Sequence, residues 1–406
     1  MKVARQFYPI YLTMTVILGT ACNFTGEKQH ISFLSSAIDT GKYFLSIDSA
    51  KIENDSLCLQ AYLTSAAFLS SEGQMMFYGY NRQRSCIDVF SVNKRKFDYR
   101  IPLRTNNILT FDKIEALFVA SEDSIFLVDA YYIGLIDSRG KIIHRWKINE
   151  RASDNSDFFK RYSLNTSLPP IFIYQRHNHN IYLQQKENSQ KYGPKTEVEF
   201  EKSRLMAVYN LDSKSAKSLD MRFDPQFIKQ YYGAMIQPSV SFINVQNTFP
   251  KVLYIFPPFS NLYIQDFNSD SLYVYKNTLS TKADTFYNLN WDDAVDEDLV
   301  NKHFSRNINY FKILESSDST FFYRFEYGPM NKNDSNYSKV FLKKQLYVTV
   351  FSNPKLSICY DSILNFRNAI PISAVSYGDS IFIPLANIEK VHHNYISFLK
   401  IKLEKR

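Results

Sequence analysis

The sequence predicts an all-β chain, a six-bladed β-propeller of four-stranded antiparallel blades closed by its N- and C-terminal strands. Three observations predict it. Aromatic residues make up 16% of the 406, with 33 Phe and 29 Tyr, an enrichment that favours pleated strands over helices. No long apolar pattern carries the 3.6-residue period of a helix. One unit recurs instead: a small polar turn, a short aromatic–aliphatic strand, a loop and a second apolar strand.

The first strands of this unit read as 75–78, 125–128, 181–184, 262–265, 321–325 and 381–383. The second strands read as 87–92, 133–137, 205–211, 272–275, 346–351 and 396–403. Polar turns such as Glu122-Asp123-Ser124, Ser317-Asp318-Ser319 and Gly378-Asp379-Ser380 precede them. Asp, Asn and Ser bond their own backbone in such turns. The segment 114–148 shows a whole blade: 114–119, 124–129, 131–136 and 141–148 are four strands. The last unit has only three, at 372–376, 380–383 and 396–402, so residues 42–48 are expected to supply its fourth. Closing a ring in this way leaves only short protected edges. Short helices are expected at 222–235 and 292–304.

Residues 1–21 read as a signal peptide. Lys2 and Arg5 form a basic start, 7–18 an apolar stretch, and Gly19-Thr20-Ala21 a small-residue cleavage site. The stretch falls short of the roughly 20 apolar residues that span a bilayer, and Pro9 interrupts it. Cys22 follows directly. This ending resembles a bacterial lipobox, with Leu18 four residues before the cysteine where the usual pattern has it three before. Cys22 is therefore the expected lipidation site. Residues 22–41 are expected to be a flexible tether and 42–406 the propeller.

The formal charge is +8, and Lys and Arg are scattered. A nucleic-acid binder would gather them on one face, so a solvated basic surface is expected and no nucleic acid. With Cys22 lipidated, Cys58, Cys86 and Cys359 remain. Cys58 and Cys86 are nearest in sequence and could pair, although buried thiols are the plainer reading. No Cys/His zinc spacing occurs.

Nothing in the chain makes a convincing catalytic set. His177 and His179 lie two apart but where a turn is expected, and His392-His393 has only Glu389 nearby. Asp292, Asp293, Asp296, Glu297 and Asp298 form the densest acidic cluster. They lack the Gly of a calcium loop and fit a helix N-terminus, where carboxylates meet the positive dipole end. No GxSxG, P-loop or GxGxxG occurs. The inner-strand candidates 114–119, 171–174, 252–256 and 372–376 carry one acidic residue, Glu115. No catalytic residue, metal or cofactor is assigned, and the ligand-binding residues are left open. Glu115, Asp292 and Asp296 are the ligands to consider if a metal is present. Tyr131, Tyr132, Tyr231, Tyr232 and Tyr327 are aromatics near loops, each more easily read as packing.

The segment DSIFLVDAYYIGLIDSRGKIIHRWKI (123–148), together with the Cys22 ending, resembles the TolB-like six-bladed propeller lipoproteins of Bacteroidota. A monomer is expected, and because Asn23-Phe24-Thr25-Gly26 lacks the acidic run that such bacteria often use for surface export, so is a lipid-anchored outer-membrane site facing the periplasm. The resemblance itself implies the cell-envelope compartment and the fold. It implies hardly any chemistry. Asp-Ser followed by an aliphatic residue or Thr, at Asp48, Asp55, Asp123, Asp270, Asp318, Asp361 and Asp379, resembles the O-glycosylation signal of such bacteria; strand-entry turns want the same residues. Two functions compete. One is a non-catalytic binding or scaffold module for a protein, peptide or glycan. The alternative is a metal-dependent hydrolase or lyase acting on an envelope or extracellular substrate. The apolar inner strands favour binding.

Overall fold

Short runs of β-branched and aromatic residues, cut by polar turns, build almost everything in the computed structural model. It describes residues 30–59, 61–103, 114–129, 131–148, 162–164, 172–187, 197–224, 238–243, 251–269, 271–276, 289, 296–330, 344–366, 368–386 and 394–406. The signal peptide, Cys22, His392 and His393 lie outside them.

Strands β1 (His30–Ser35) and β2 (Tyr43–Glu53) come first. β3 (Ser65–Leu69), β4 (Met75–Asn81), β5 (Cys86–Ser91) and β6 (Lys96–Pro102) form an antiparallel meander. β7 (Ala116–Ser121), β8 (Ser124–Val128), β9 (Tyr132–Ile136) and β10 (Ile142–Lys147) form the next. Then follow β11 (Tyr162–Leu164), β12 (Phe172–Gln175), β13 (Asn180–Glu187), helix α1 (Glu197–Lys202), β14 (Met206–Asn210) and β15 (Ser215–Leu219). β16 (Ser239–Ile243), β17 (Lys251–Ile255), β18 (Leu262–Asp266) and β19 (Ser271–Lys276) precede helix α2 (Glu297–Arg306). β20 (Asn309–Glu315), β21 (Phe321–Tyr327), β22 (Leu346–Ser352) and β23 (Ile358–Leu364) lead to β24 (Val375–Tyr377), β25 (Ser380–Leu385) and β26 (Tyr395–Lys405).

The architecture is all-β and propeller-like, but six separate four-stranded blades do not form. The described strands make five sheets, of five, four, five, eight and four strands. The pairing expected between 42–48 and 396–402 is present and longer: β2 runs antiparallel to β26 from Tyr43↔Lys405 to Glu53↔Tyr395. At its far end β2 also pairs with β6, at Glu53↔Lys96. That contact fuses the strands read as the first and last blades into one sheet, β24-β25-β26-β2-β6-β5-β4-β3. Turn residues and periodicity predict hairpins, but not such a contact between the outer strands of two meanders.

Apolar clusters fill the space between successive sheets. Ile87, Val89 and Ile101 pack on Leu117, Ile125 and Leu127. Met206 and Leu219 meet Val252, Tyr254 and Val274, and Phe325, Val348 and Val350 meet Ile381, Leu399 and Ile401. Within the eight-stranded sheet, Tyr62, Phe77 and Phe90 of one half pack on Phe382, Ile396 and Phe398 of the other. Phe77 and Phe398 stand edge to face, 5.1 Å apart, a favoured aromatic geometry.

Two further readings change, and one expected helix is present. Residues 30–35 of the expected tether form β1, which pairs in parallel with β19 from His30↔Ser271 to Ser35↔Lys276. Residues 252–256, read as an inner strand, belong mostly to β17, which lies between β16 and β18; β16 occupies the edge position. The helix expected at 292–304 is α2, and Asp296 caps it by accepting from Asp298 N and Leu299 N, as N-cap carboxylates do. Most of the helix expected at 222–235 lies outside the described residues. Among those residues no helix is long and apolar enough to cross a membrane.

Candidate functional site

Three tight turns, after β3, β20 and β24, meet at one end of their strands, and each is locked by its own residues. In the first, Gly73 adopts φ +72°, a left-handed conformation natural to glycine, while Ser70 and Gln74 close the turn. In the second, the Asp318 carboxylate accepts from Ser316 Oγ (2.6 Å), Thr320 N (3.1 Å) and Thr320 Oγ1 (2.9 Å). In the third, Gly378 sits at φ +57° and Asp379 accepts from Ser380 Oγ at 2.9 Å and pairs with Lys402 at 2.8 Å.

The turns are also tied to one another. Tyr377 donates its hydroxyl to Gly73 O at 3.0 Å. Ser317 and Ser376 share a hydrogen bond of 3.1 Å, and Asp318 N donates to Gly378 O at 3.3 Å. Between them opens a cavity of about 480 Å³. Ala67, Phe68, Leu69 and Met75 make its apolar wall; Ser317, Asp318, Ser376 and Tyr377 make its polar rim. A second cavity of about 290 Å³ adjoins it across Tyr377 and Gly378, with Asp48, Asn93, Arg95, Asp379 and Lys400 on its walls. Volumes of this size suit a small molecule or a few residues of a polymer.

Burial alone would raise both rim carboxyls, but local donors outweigh it. Hydrogen bonds from Ser316 and Thr320 hold Asp318 below the usual range, and Lys402 and Ser380 do the same for Asp379. Both are ionised at neutral pH and serve first as turn locks. The mouth is thus a rigid, hydrogen-bonding frame around an apolar wall.

A separate buried polar network lies behind β4 to β6. Asp88, fully buried, accepts from Tyr62 Oη (2.7 Å), Asn81 Nδ2 (2.9 Å) and Arg100 Nε (2.5 Å). Arg100 reaches on to Asp55 at 3.2 Å and to Cys58 Sγ at 3.4 Å. Its ends fasten the segment between β2 and β3 to the sheet. Cys58 and Cys86 both border it as free thiols, and Cys359 is free too. Burial pushes Cys58 up to about 12 and Cys86 up to about 11.

The residues singled out from sequence do not converge. His179 occupies a turn with φ +52° and pairs with Asp212 at 3.0 Å. Glu115 is partly exposed and precedes β7. Asp292 and Asp293 lie outside the described residues, as do Tyr231, Tyr232 and Asp270. Tyr327 is buried and donates to Ala369 O. Arg145 lies over the Tyr132 ring, and Tyr131 is half exposed. Among the described residues no group of three or more His, Cys, Asp or Glu is placed to hold a metal. Of the cavity residues, Ser317, Asp318 and Gly378 read in sequence as turns and Met75 and Ser376 as strand residues; their convergence depends on which strands neighbour one another.

A search of curated proteins finds none that matches. Among solved structures, a DUF4221 protein from Bacteroides vulgatus superposes with a TM-score of 0.74 at 15% identity, covering 91% of this chain and all of that one. A Bacteroides fragilis protein assigned as exported superposes with a TM-score of 0.53 at 9% identity, covering 92% of this chain and all of that one. The family model for the domain of unknown function DUF4221 matches residues 32–353, and the chain belongs to that family.

Proposed function

We propose that the mature chain is a non-catalytic binding module of the cell envelope, lipid-anchored through Cys22, that takes a peptide or glycan segment at the turn-lined cavity. The observation that carries this reading is the cavity of about 480 Å³, whose apolar wall is framed by three mutually bonded turns. A frame already fixed loses little entropy on binding. The export assigned to the Bacteroides fragilis neighbour supports the compartment, as do the basic start, apolar stretch and small residues before Cys22. An outer-membrane site facing the periplasm is part of the proposal.

Two measurements test it. Metabolic labelling with an alkynyl fatty acid should mark the chain, and Cys22→Ala should abolish the label and release the protein from the membrane fraction. Native mass spectrometry of protein purified from its own host should show a bound molecule that Ala67→Trp, which fills the cavity, displaces. A bound molecule indifferent to that substitution would move the site elsewhere.

A further inference from the structure

We propose that the N-terminal strap, residues 30–47, rests on the surface of the bilayer that holds the anchor, and so sets the orientation of the whole protein. The strap runs along the outer margin of three sheets. β1 adds a parallel strand outside β19. Ala37 and Asp39 then bond Ile358 of β23, at 2.7 and 2.8 Å, and the first residues of β2 pair with β26 alone, since β6 joins β2 only at Glu53.

Its side chains are not those of a solvated edge. Phe33 is 65% exposed and Ile38 69%, while Ile31, Leu34, Phe44 and Ile47 are each about two-fifths exposed. Exposed edge strands are usually protected by charge or by a covering element. Here exposed apolar side chains stand along the margin on both faces of the strands, Ile31 and Phe33 on one face of β1 and Leu34 on the other.

Two features select a lipid surface as the partner. His30, where β1 begins, is eight residues from Cys22, so a fully extended chain keeps it within about 29 Å of an acylated cysteine. The strap is the described segment nearest Cys22 in sequence. Basic groups also flank these apolar side chains. Lys276 lies over the Phe33 ring at 5.1 Å, and Lys42, Lys405 and Arg406 gather where Arg406 N bonds Lys42 O, with Asp39 paired to Lys42. Aromatic and aliphatic side chains with basic neighbours suit the headgroup boundary, where they enter only about 5–10 Å. The outer backbone edge of β1 can stay hydrated at that depth, as it could not in the hydrocarbon core.

The inference rests on the lipid-anchor reading for its biological setting, and its test is independent of that reading. The mature chain with Cys22→Ser carries no acyl group, so any affinity for lipid belongs to the folded protein. It is mixed with vesicles of phosphatidylethanolamine and phosphatidylglycerol at physiological salt and sedimented. Measurable partitioning is expected, falling at least fivefold in Phe33→Ser/Ile38→Ser and at least twofold in Ile38→Ser alone. Tyr131→Ser, outside the strap, should partition like the parent. Melting temperatures identify any variant that fails to fold, and Ile38→Ser, outside the strand pairs of β1, keeps the test open if the double variant does. Absence of parental binding overturns the proposal, as does equal binding by the strap variants. Concentration-dependent self-association of the parent that the double variant abolishes, without vesicle binding, would assign these side chains to a second copy of the chain instead.

Discussion

The ring of Tyr62 lies directly over Gly79, so that a Cβ built on that glycine would fall 2.4 Å from two ring carbons. Its hydroxyl meanwhile donates to the buried Asp88 at 2.7 Å. Gly79 sits within β4, where its absent side chain makes room for the segment that joins β2 to β3. Gly79→Ala should therefore cost about 1–3 kcal/mol, the usual range for overpacking. In a Tyr62→Ala background the same substitution should cost much less, a coupling that a double-mutant cycle in urea reads directly. Equal costs in both backgrounds would separate Gly79 from the ring.

Asp88 is the acceptor on which three donors converge. Tyr62→Phe removes one of them and also leaves Leu59 N without its hydroxyl acceptor, at a cost of about 1–2 kcal/mol. Asp88→Ala leaves Arg100, Asn81 and Tyr62 facing an empty centre and should cost about 3–5 kcal/mol. Urea midpoints of the two variants should keep that order. The reverse order would mean that water replaces the carboxylate easily.

The same network shelters two thiols. With Cys58 pushed up to about 12 and Cys86 to about 11 by burial, their thiolate populations at pH 8 are minute. Labelling should run on the order of a thousandfold slower than for an exposed cysteine. Denatured, unreduced mature protein should then yield three reactive thiols, from Cys58, Cys86 and Cys359. A yield of one would show that a disulfide forms.

Lys344 is almost fully buried, donating to Asn307 O at 2.7 Å, and burial lowers it to about 7. The unfolded chain keeps this proton up to roughly pH 10.4. Between about 7 and 10 the unfolded state thus holds more protons, and stability rises with pH; below 7 the contribution is flat. Lys344→Met should raise stability at pH 7 by an amount on the order of 3 kcal/mol and lower the slope above pH 7 by up to about 1.4 kcal/mol per pH unit, the share of one proton. Denaturant titrations between pH 7 and 9.5 check this, below the range where tyrosines of the unfolded chain ionise. An unchanged slope would show that Lys344 stays charged when folded.

How much of this was legible in the sequence depends on the range of the interaction. Hairpins such as Ser124–Val128 with Tyr132–Ile136 announce themselves, because Asp129 and Asp137 punctuate residues whose alternation is local. The pairing of β2 with β26 was legible as well, since the last meander visibly lacked a strand. Docking of β1 on β19 was not: its partner lies some 240 residues away, and a short run ending in small polar residues reads as linker. Fusion through Glu53 and Lys96 depends on a single pair, below any periodicity. β16, with Ser239 and Ser241 among its five residues, alternates too briefly to register. The cavity was invisible for the same reason, since Gly73 follows β3 and Tyr377 ends β24, the two end strands of one sheet, and Ser317 follows β20 of another.

The two N-terminal strands should carry very different shares of the stability. β1 contributes six residues on a sheet margin, with Phe33 largely and Ile31 and Leu34 partly exposed, so its burial gives little. β2 is paired over all eleven residues with β26. It buries Ile52 completely and packs Tyr43 and Leu45 on the core shared with β21 and β22. Without it β26 loses a neighbour along its whole length, and the link to β6 disappears. Deleting residues 23–36 should lower the melting temperature by only a few degrees, on the order of 1 kcal/mol for a chain this size. Deleting 23–53 should abolish the cooperative transition and expose apolar surface that binds a hydrophobic dye. Similar melting temperatures for the two truncations would mean that the eight-stranded sheet holds without its central strand, and that the packing of Phe77 on Phe398, rather than β2, joins its two halves.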